Sequence, residues 1–371
     1  MRILLAFDKF KGSLSAMEAC AALAEGLRQA DAKAELTSCP IADGGEGFTE
    51  AMVAAMGGEW RECPAVDALG RKIKARYGLC ESGEDLIAVM EMAEASGMWR
   101  IAEGDRDILR ATTAGTGQMI RHASLKSEVD EILIGIGGSA TNDGGAGMAA
   151  ALGIAFWDKR GDELEPTPGG LAKVAEVRDA GRCRLPRIKV ACDVENPLLG
   201  EQGATAIYGP QKGAGPKEQK KLEKMLENLV EASESQEVAE TPGAGAAGGL
   251  GFGLMQFAKA QLVPGFEMVA EALDLEEKIA RADVVVTGEG SLDAQSLQGK
   301  GPVGVAKMAK EAGAVVVGVA GRITPEVRES GIFKHLGTLE QFNLPLEESM
   351  RRGAELLQLT GKRLAGLLAG D

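Results

Sequence analysis

Short apolar runs closed by a glycine or an acid alternate along this chain with stretches whose apolar residues recur every three or four positions. That alternation constrains the fold more than any other feature. A strand that feeds a helix, which returns to the next strand, builds a parallel sheet covered by helices. The runs at 1–7 (MRILLAF), 34–42, 72–80, 85–93, 131–138, 187–194, 204–209, 283–290 and 314–321 are the predicted strands. The last two are apolar at their centres, VVV and VVVGVA, as expected of parallel strands buried on both faces. Helical periodicity marks 17–30, 48–56 and 216–233, and the chain closes on the helical run KRLAGLLAG. Ser15 followed by Glu18 reads as a capping box for the first helix. In 216–233, Leu222, Met225, Leu226, Leu229 and Val230 form the apolar stripe. The strands at 72–80 and 85–93 are separated only by the turn ESGE, which signals a hairpin and an antiparallel element.

A length of 371 residues suits two domains. The fold class read from this pattern is α/β, with two α/β domains. One is a doubly wound, mostly parallel, Rossmann- or flavodoxin-like sheet built from both chain ends (1–64 plus 282–371). The other is a mixed-sheet α/β domain inserted in the middle (65–281).

Glycine is the compositional outlier, at 51 residues of 371, near twice the usual share of about 7%. The glycines cluster in FDKFKGSLSA (7–16), IADGGEG (41–47), GIGGSATNDGGAG (135–147), GAGAAGGLGFG (243–253) and TGEGSLDAQSLQGKGPVG (287–304). Most of these follow predicted strands. In open α/β sheets ligands gather at the carboxyl ends of strands. Glycine lets the backbone approach an anion closely, and free N–H groups at helix starts attract it. One such loop reads equally well as a plain turn, but several in series point to a phosphate-bearing ligand.

The formal net charge is −14, with no basic stripe for nucleic acid and no reason to dock on anionic lipid. Any attraction for an anion must therefore be local. Lys9, Lys11, Lys212 and Lys300 adjoin or flank glycines and can reach one. The six cysteines lack C-x-x-C spacing, and no signal-like or membrane-length apolar run is present, which together read as cytoplasmic. His122 and His335, the two histidines, have no sequence neighbours suited to metal or triad chemistry and read as structural. Self-association is left open by the sequence.

Phosphoryl transfer asks for a positioned hydroxyl, an acid near it, and carboxylates for Mg²⁺. Loop acids at Asp43, Glu46, Asp143, Asp193, Glu195, Glu289 and Asp293 offer these, each of them equally a candidate helix cap or turn former. Asp193 directly follows an apolar strand. The Walker pattern is missing, because Ala294 stands where its first glycine belongs and Gly301 where its Ser/Thr belongs. A dinucleotide reading stays open on Gly135, Gly137 and Ala140 with Asp158 downstream, and so does a non-catalytic anion-binding protein.

The segments AFDKFKGSLSA, PIADGGEG, TTAGTGQMI, IGIGGSATNDGGAGMAAALG, ACDVENPLLG, YGPQKGA, GAGAAGGLGFGL and VVTGEGSLDAQSLQGKGPVGVAK resemble the bacterial type I glycerate kinases, in that family's order and over nearly the whole chain. The resemblance implies ATP-dependent phosphorylation of D-glycerate with Mg²⁺, on the 2-hydroxyl, with the 3-hydroxyl as the alternative, in a cleft between two α/β domains. Ala114 departs from the bulkier aromatic residue expected there. The roles that follow are expectations. Asp193 orients or deprotonates the hydroxyl, and Lys300 neutralises the moving phosphoryl. Lys11, Ser13, Gly137, Gly138, Ser139 and Asn142 bind anionic oxygens. Asp43 with Glu46, or Glu289 with Asp293, reach Mg²⁺.

Overall fold

The computed structural model describes residues 1–31, 33–42, 45, 47–125, 129–294, 296–298 and 301–368. Along the chain run β1 (Arg2–Phe7), β2 (Glu35–Ser38), β3 (Glu59–Val66), β4 (Lys72–Ser82), β5 (Asp85–Glu91) and β6 (Glu131–Gly135). Then come β7 (Ile154–Trp157), β8 (Glu176–Asp179), β9 (Arg187–Ala191), β10 (Gln261–Val263) and β11 (Val284–Gly288). The last are β12 (Ser291–Leu292), β13 (Val315–Ala320), β14 (Arg322–Ile323) and β15 (His335–Thr338). The chain divides into two compact units, Met1–Asp43 with Glu50–Gly57 and Phe266–Asp371, and Gly44–Thr49 with Gly58–Gly265.

The first unit holds a five-stranded sheet in the order β15-β13-β11-β1-β2, with every pairing parallel. β11 is buried at every residue, as its apolar run predicts. The helix Ala16–Ala30 opens on the reciprocal Ser15–Glu18 capping box. Its buried face, Cys20, Leu23 and Leu27, joins β1, β11 and the helix Gly353–Leu368 in one core. The two helices cross closely because Gly26 and Gly361 carry no side chain at the contact. A Cβ on Gly361 would lie 2.6 Å from the Leu23 carbonyl oxygen.

The second unit holds a six-stranded sheet in the order β10-β9-β6-β5-β4-β3. β5, β6, β9 and β10 run parallel, while β3, β4 and β5 are antiparallel. The β4–β5 hairpin turns at Gly83, which takes φ +62°, the left-handed conformation glycine permits. The stripe Leu222, Met225, Leu226, Leu229 and Val230 of the helix Pro216–Ala232 is buried throughout.

Some local readings change, and β7, β8, β10, β12 and β14 add to the expected strands. ATAIYG at 204–209 folds as the helix Ala204–Tyr208. A five-residue apolar run fits one helical turn as well as a strand, so periodicity could not separate them. β3 was not anticipated, because its pattern is mostly polar and contains Pro64. It pairs only with β4, and an edge strand tolerates both features. Among the described residues no helix is long and apolar enough to cross a membrane.

Candidate active site

In the second unit the carboxyl ends of the parallel strands stand side by side. Glu91 pairs with Gly135, Gly135 with Ala191, and Ala191 with Val263. Gly137 and Asp193 each lie two residues beyond one of these neighbouring ends, so topology brings Gly137, Gly138, Ser139 and Asp193 to one edge. Gly138 takes φ +72° and is exposed. Its carbonyl accepts from the Met98 amide at 2.9 Å, and the Ala140 amide donates to the Ser96 carbonyl at 2.9 Å. The loop is thus pinned to the segment after β5. Asp193 Oδ1 accepts from the Gly265 amide at 3.1 Å, just past β10. Glu91, absent from the sequence expectations, ends β5 and accepts from the Thr49 amide at 2.8 Å. Its signal was the same as that of Asp193, an acid closing an apolar strand.

Beneath this edge lies a buried polar layer. Asn142 and Asp143 are fully buried. The Asn142 side-chain amide donates to Thr205 Oγ1 at 3.0 Å, so it braces the loop from inside. Asp143 accepts from the Thr113 amide (2.7 Å) and hydroxyl (2.8 Å) and from the amides of Gly145 (3.1 Å) and Gly147 (3.2 Å). Burial pushes its carboxyl pKa up, against those donors. Lys212, 3% exposed, donates from Nζ to Ser139 Oγ at 2.6 Å and to the Thr141 carbonyl at 2.8 Å. Burial pulls its ammonium down to about 7, while Asp143 works the other way.

The glycines after Asn142 serve packing. A Cβ on Gly145 would lie 2.8 Å from the Gly253 Cα, and one on Gly144 would lie 2.7 Å from Leu229. GAGAAGGLGFG, expected as a ligand loop, forms most of the helix Ala246–Ala258, with left-handed backbone at Ala247, Gly248 and Gly249. It too packs against residues 141–145.

The dinucleotide reading does not fit this geometry. Residues 136–140 form a turn and a bridge, and the helix begins only at Ala146. Asp158 Oδ1 accepts from the amides of Arg160 and Asp162 in its own turn. His122 packs against Tyr77, with Nδ1 3.1 Å from the phenol oxygen, in keeping with a structural role.

In the first unit the strand order reverses between β1 and β11. This is the topological switch point where open sheets bind ligands. Phe7 pairs with Gly288, and an acid follows each, Asp8 and Glu289. Asp8, also missed in the sequence, is buried and accepts from the Lys9 amide at 2.6 Å. A Cβ on Gly301 would lie 3.7 Å from its Oδ2, so the carboxylate sits by the first turn of the helix Gly301–Glu311. Lys11 is exposed on the turn after β1. Ser13 donates its hydroxyl to the Met350 carbonyl at 2.5 Å and its amide to the Phe10 carbonyl at 2.8 Å. It therefore shapes the turn that carries Lys11. The Ser296 hydroxyl donates to Glu289 Oε1 at 2.8 Å, and the Ser296 amide donates to Asp293 Oδ1 at 3.4 Å. One serine thus draws these two acids together. Asp43, Glu46 and Lys300 lie outside the described residues.

Among the described residues no group of three or more His, Cys, Asp or Glu side chains could hold a metal ion alone. The Glu289–Asp293 pair, hard oxygen donors at a switch point, fits Mg²⁺. That ion typically takes one or two carboxylates and completes its shell with phosphate oxygens and water.

The sequence profile described as the glycerate kinase family matches residues 3–369. The glycerate 2-kinase of Escherichia coli (strain K12) is 42% identical, across 100% of this chain and 98% of that protein. The glycerate kinase of Halalkalibacterium halodurans is 41% identical, across 98% of this chain and 97% of that protein. A crystal structure from Salmonella typhimurium LT2, assigned as glycerate kinase 2, superposes with a TM-score of 0.88 at 38% identity, across 100% of this chain and 98% of that one. With a match of this length, and an acid beside a glycine loop on one sheet edge, the chain belongs to the glycerate kinase family.

Proposed function

We propose that this kinase transfers the γ-phosphoryl group of ATP to the 2-hydroxyl of D-glycerate, giving 2-phosphoglycerate and ADP. The observation that carries the reading is Asp193 beside the Gly137–Ser139 loop on one carboxyl edge, in a chain matched by the family over residues 3–369. The name of the Escherichia coli relative supports the 2-position.

In this reading Asp193 orients the acceptor hydroxyl and takes its proton as the oxygen bonds to phosphorus and the bond to ADP breaks. The Gly137 and Gly138 amides and the Ser139 hydroxyl hold anionic oxygens, with Asn142 bracing their loop from below. Lys11, on the turn that Ser13 fixes, and Lys300 place positive charge against phosphate oxygens. Glu289 and Asp293 would hold Mg²⁺, with Asp43 and Glu46 as the alternative pair. The ion, when bound, supplies charge neutralisation on the phosphates. A cytoplasmic setting is supported by six cysteines that form no disulfide.

The test is ADP formation from MgATP and D-glycerate, followed by ³¹P NMR of the product. A 2-phosphate ester is expected. A 3-phosphate ester would move the reaction to the other hydroxyl, and no ADP would remove the kinase reading.

A further inference from the structure

Lys212 is an expensive residue to bury. Its ammonium loses its hydration and its long stem loses rotamer freedom, and an apolar side chain would fill the same space at lower cost. It ends the short turn Pro210–Lys212, and Gly213 follows in left-handed backbone at φ +94°. The turn sends the side chain inward to two oxygens, Ser139 Oγ at 2.6 Å and the Thr141 carbonyl at 2.8 Å. The carbonyl contact fixes loop shape. The serine contact does more, because Ser139 stands at the edge where ligands gather, next to the exposed Gly138.

An anion bound at this edge favours the charged form of Lys212, and a lysine ammonium has three donors and no acceptor. In the Lys212–Ser139 contact the serine oxygen must therefore accept. One lone pair is filled from below, and the hydroxyl hydrogen has to point elsewhere. Among the described residues no acceptor takes it. The serine is 7% exposed, so bulk water is largely withheld from it. A nearly buried hydroxyl with one lone pair held by a cation and an uncommitted hydrogen is biased toward donating. A cation hydrogen-bonded to its oxygen also polarises the O–H bond and strengthens what it donates.

We propose that Lys212 is a positioning residue for substrate, which biases Ser139 to donate to a ligand oxygen that carries no hydrogen. Such an oxygen belongs to a carboxylate or a phosphoryl group. The same arrangement disfavours a ligand that offers a hydroxyl or ammonium hydrogen at this point. Lys212 itself touches no ligand, and its charge reaches the substrate through the serine. The identity of the ligand oxygen rests on the kinase reading above.

The test is a double-mutant cycle of wild type, K212M, S139A and K212M/S139A. It reads kcat, the KM for D-glycerate, the KM for MgATP and the melting temperature. S139A should raise one KM about ten-fold, the size of one hydrogen bond to a charged group, with kcat within about three-fold. K212M should raise the same KM, and the double variant should be no worse than S139A alone. A rise confined to D-glycerate places its carboxylate on Ser139, and one confined to MgATP places a phosphoryl oxygen there. Either supports the proposal. Effects that multiply in the double variant, or an S139A enzyme with both KM values unchanged, overturn it, because Lys212 would then be a prop for the loop only. Should K212M fail to fold, K212Q enters the cycle with the same outcomes. A wild-type enzyme that forms no ADP fails at the kinase reading, and the inference falls with it. An active wild type with a multiplicative cycle fails at this inference alone.

Discussion

Two buried ionisable groups under the glycine loop, Lys212 and Asp143, respond to pH in opposite directions. Burial holds the folded Lys212 near 7, against 10.5 in an unfolded chain. Between those values the unfolded chain carries a proton that the folded chain has released, so stability from this site rises with pH across that window. Asp143, raised by burial, contributes a term of the other sign from pH 3.8 upward. Wild type should therefore gain on K212M between pH 7 and pH 9, by at most about 1.4 kcal/mol per pH unit. Urea unfolding at the two pH values measures it, and parallel curves would show that Lys212 does not titrate there. Asp193 is tested by D193N, which keeps an oxygen to accept from the Gly265 amide and loses the carboxylate's charge and basicity. kcat should fall at least about ten-fold with an unchanged melting temperature. Retention of more than a tenth of wild-type turnover would rule out the base assignment. Asp193 is legible as a candidate because an acid closing an apolar strand has little structural reason to be there. Asp8 and Glu91 carry the same signal at their strand ends. The burial of Asn142 and Lys212 was not legible, since it depends on the Thr205 and Ser139 segments meeting them in space.

At the scale of elements, apolar runs were read well where a strand is central and poorly where it is marginal. β6 and β11 are buried throughout and were expected, whereas β3 is an edge and was not. The glycine clusters were legible as places where backbone must pass closely, but the sequence does not say what passes. At 243–253 the partner is the chain itself. Gly248 sits at φ +71° in the kinked start of the helix Ala246–Ala258, and its carbonyl accepts from the Gly144 amide at 3.1 Å. A Cβ there would overlap the Thr141 carbonyl oxygen, the same oxygen that Lys212 holds. G248A adds left-handed strain to that overlap and should cost about 2–3 kcal/mol. Chemical denaturation reads the loss directly. A variant within about 0.5 kcal/mol of wild type would mean that the loop and helix separate more easily than their packing implies.

At the scale of the whole molecule, the mixed α/β class with one parallel and one mixed sheet was visible in the order of the runs. The topological switch point was not, because it depends on which side of β1 the later strands join. Charge raises a different question. A protein of net charge −14 repels the anions its family acts on, so recognition has to come from short-range donors set into the sheet edges. The two contributions separate by their response to salt. The repulsion is long-ranged and is screened as the Debye length falls from about 30 Å at 0.01 M to about 10 Å at 0.1 M. Hydrogen bonds from the Gly137–Ser139 loop, in the proposed reading, would act at contact, where salt changes little. Raising potassium chloride across that range, at fixed free Mg²⁺, should leave kcat/KM for D-glycerate constant or raise it by a few-fold, roughly two to five. A site fed by a basic surface would lose rate over the same range. A marked fall here would show that a local positive field, with Lys11 and Lys300 as its candidate sources, outweighs the global charge, and that steering as well as contact governs substrate capture.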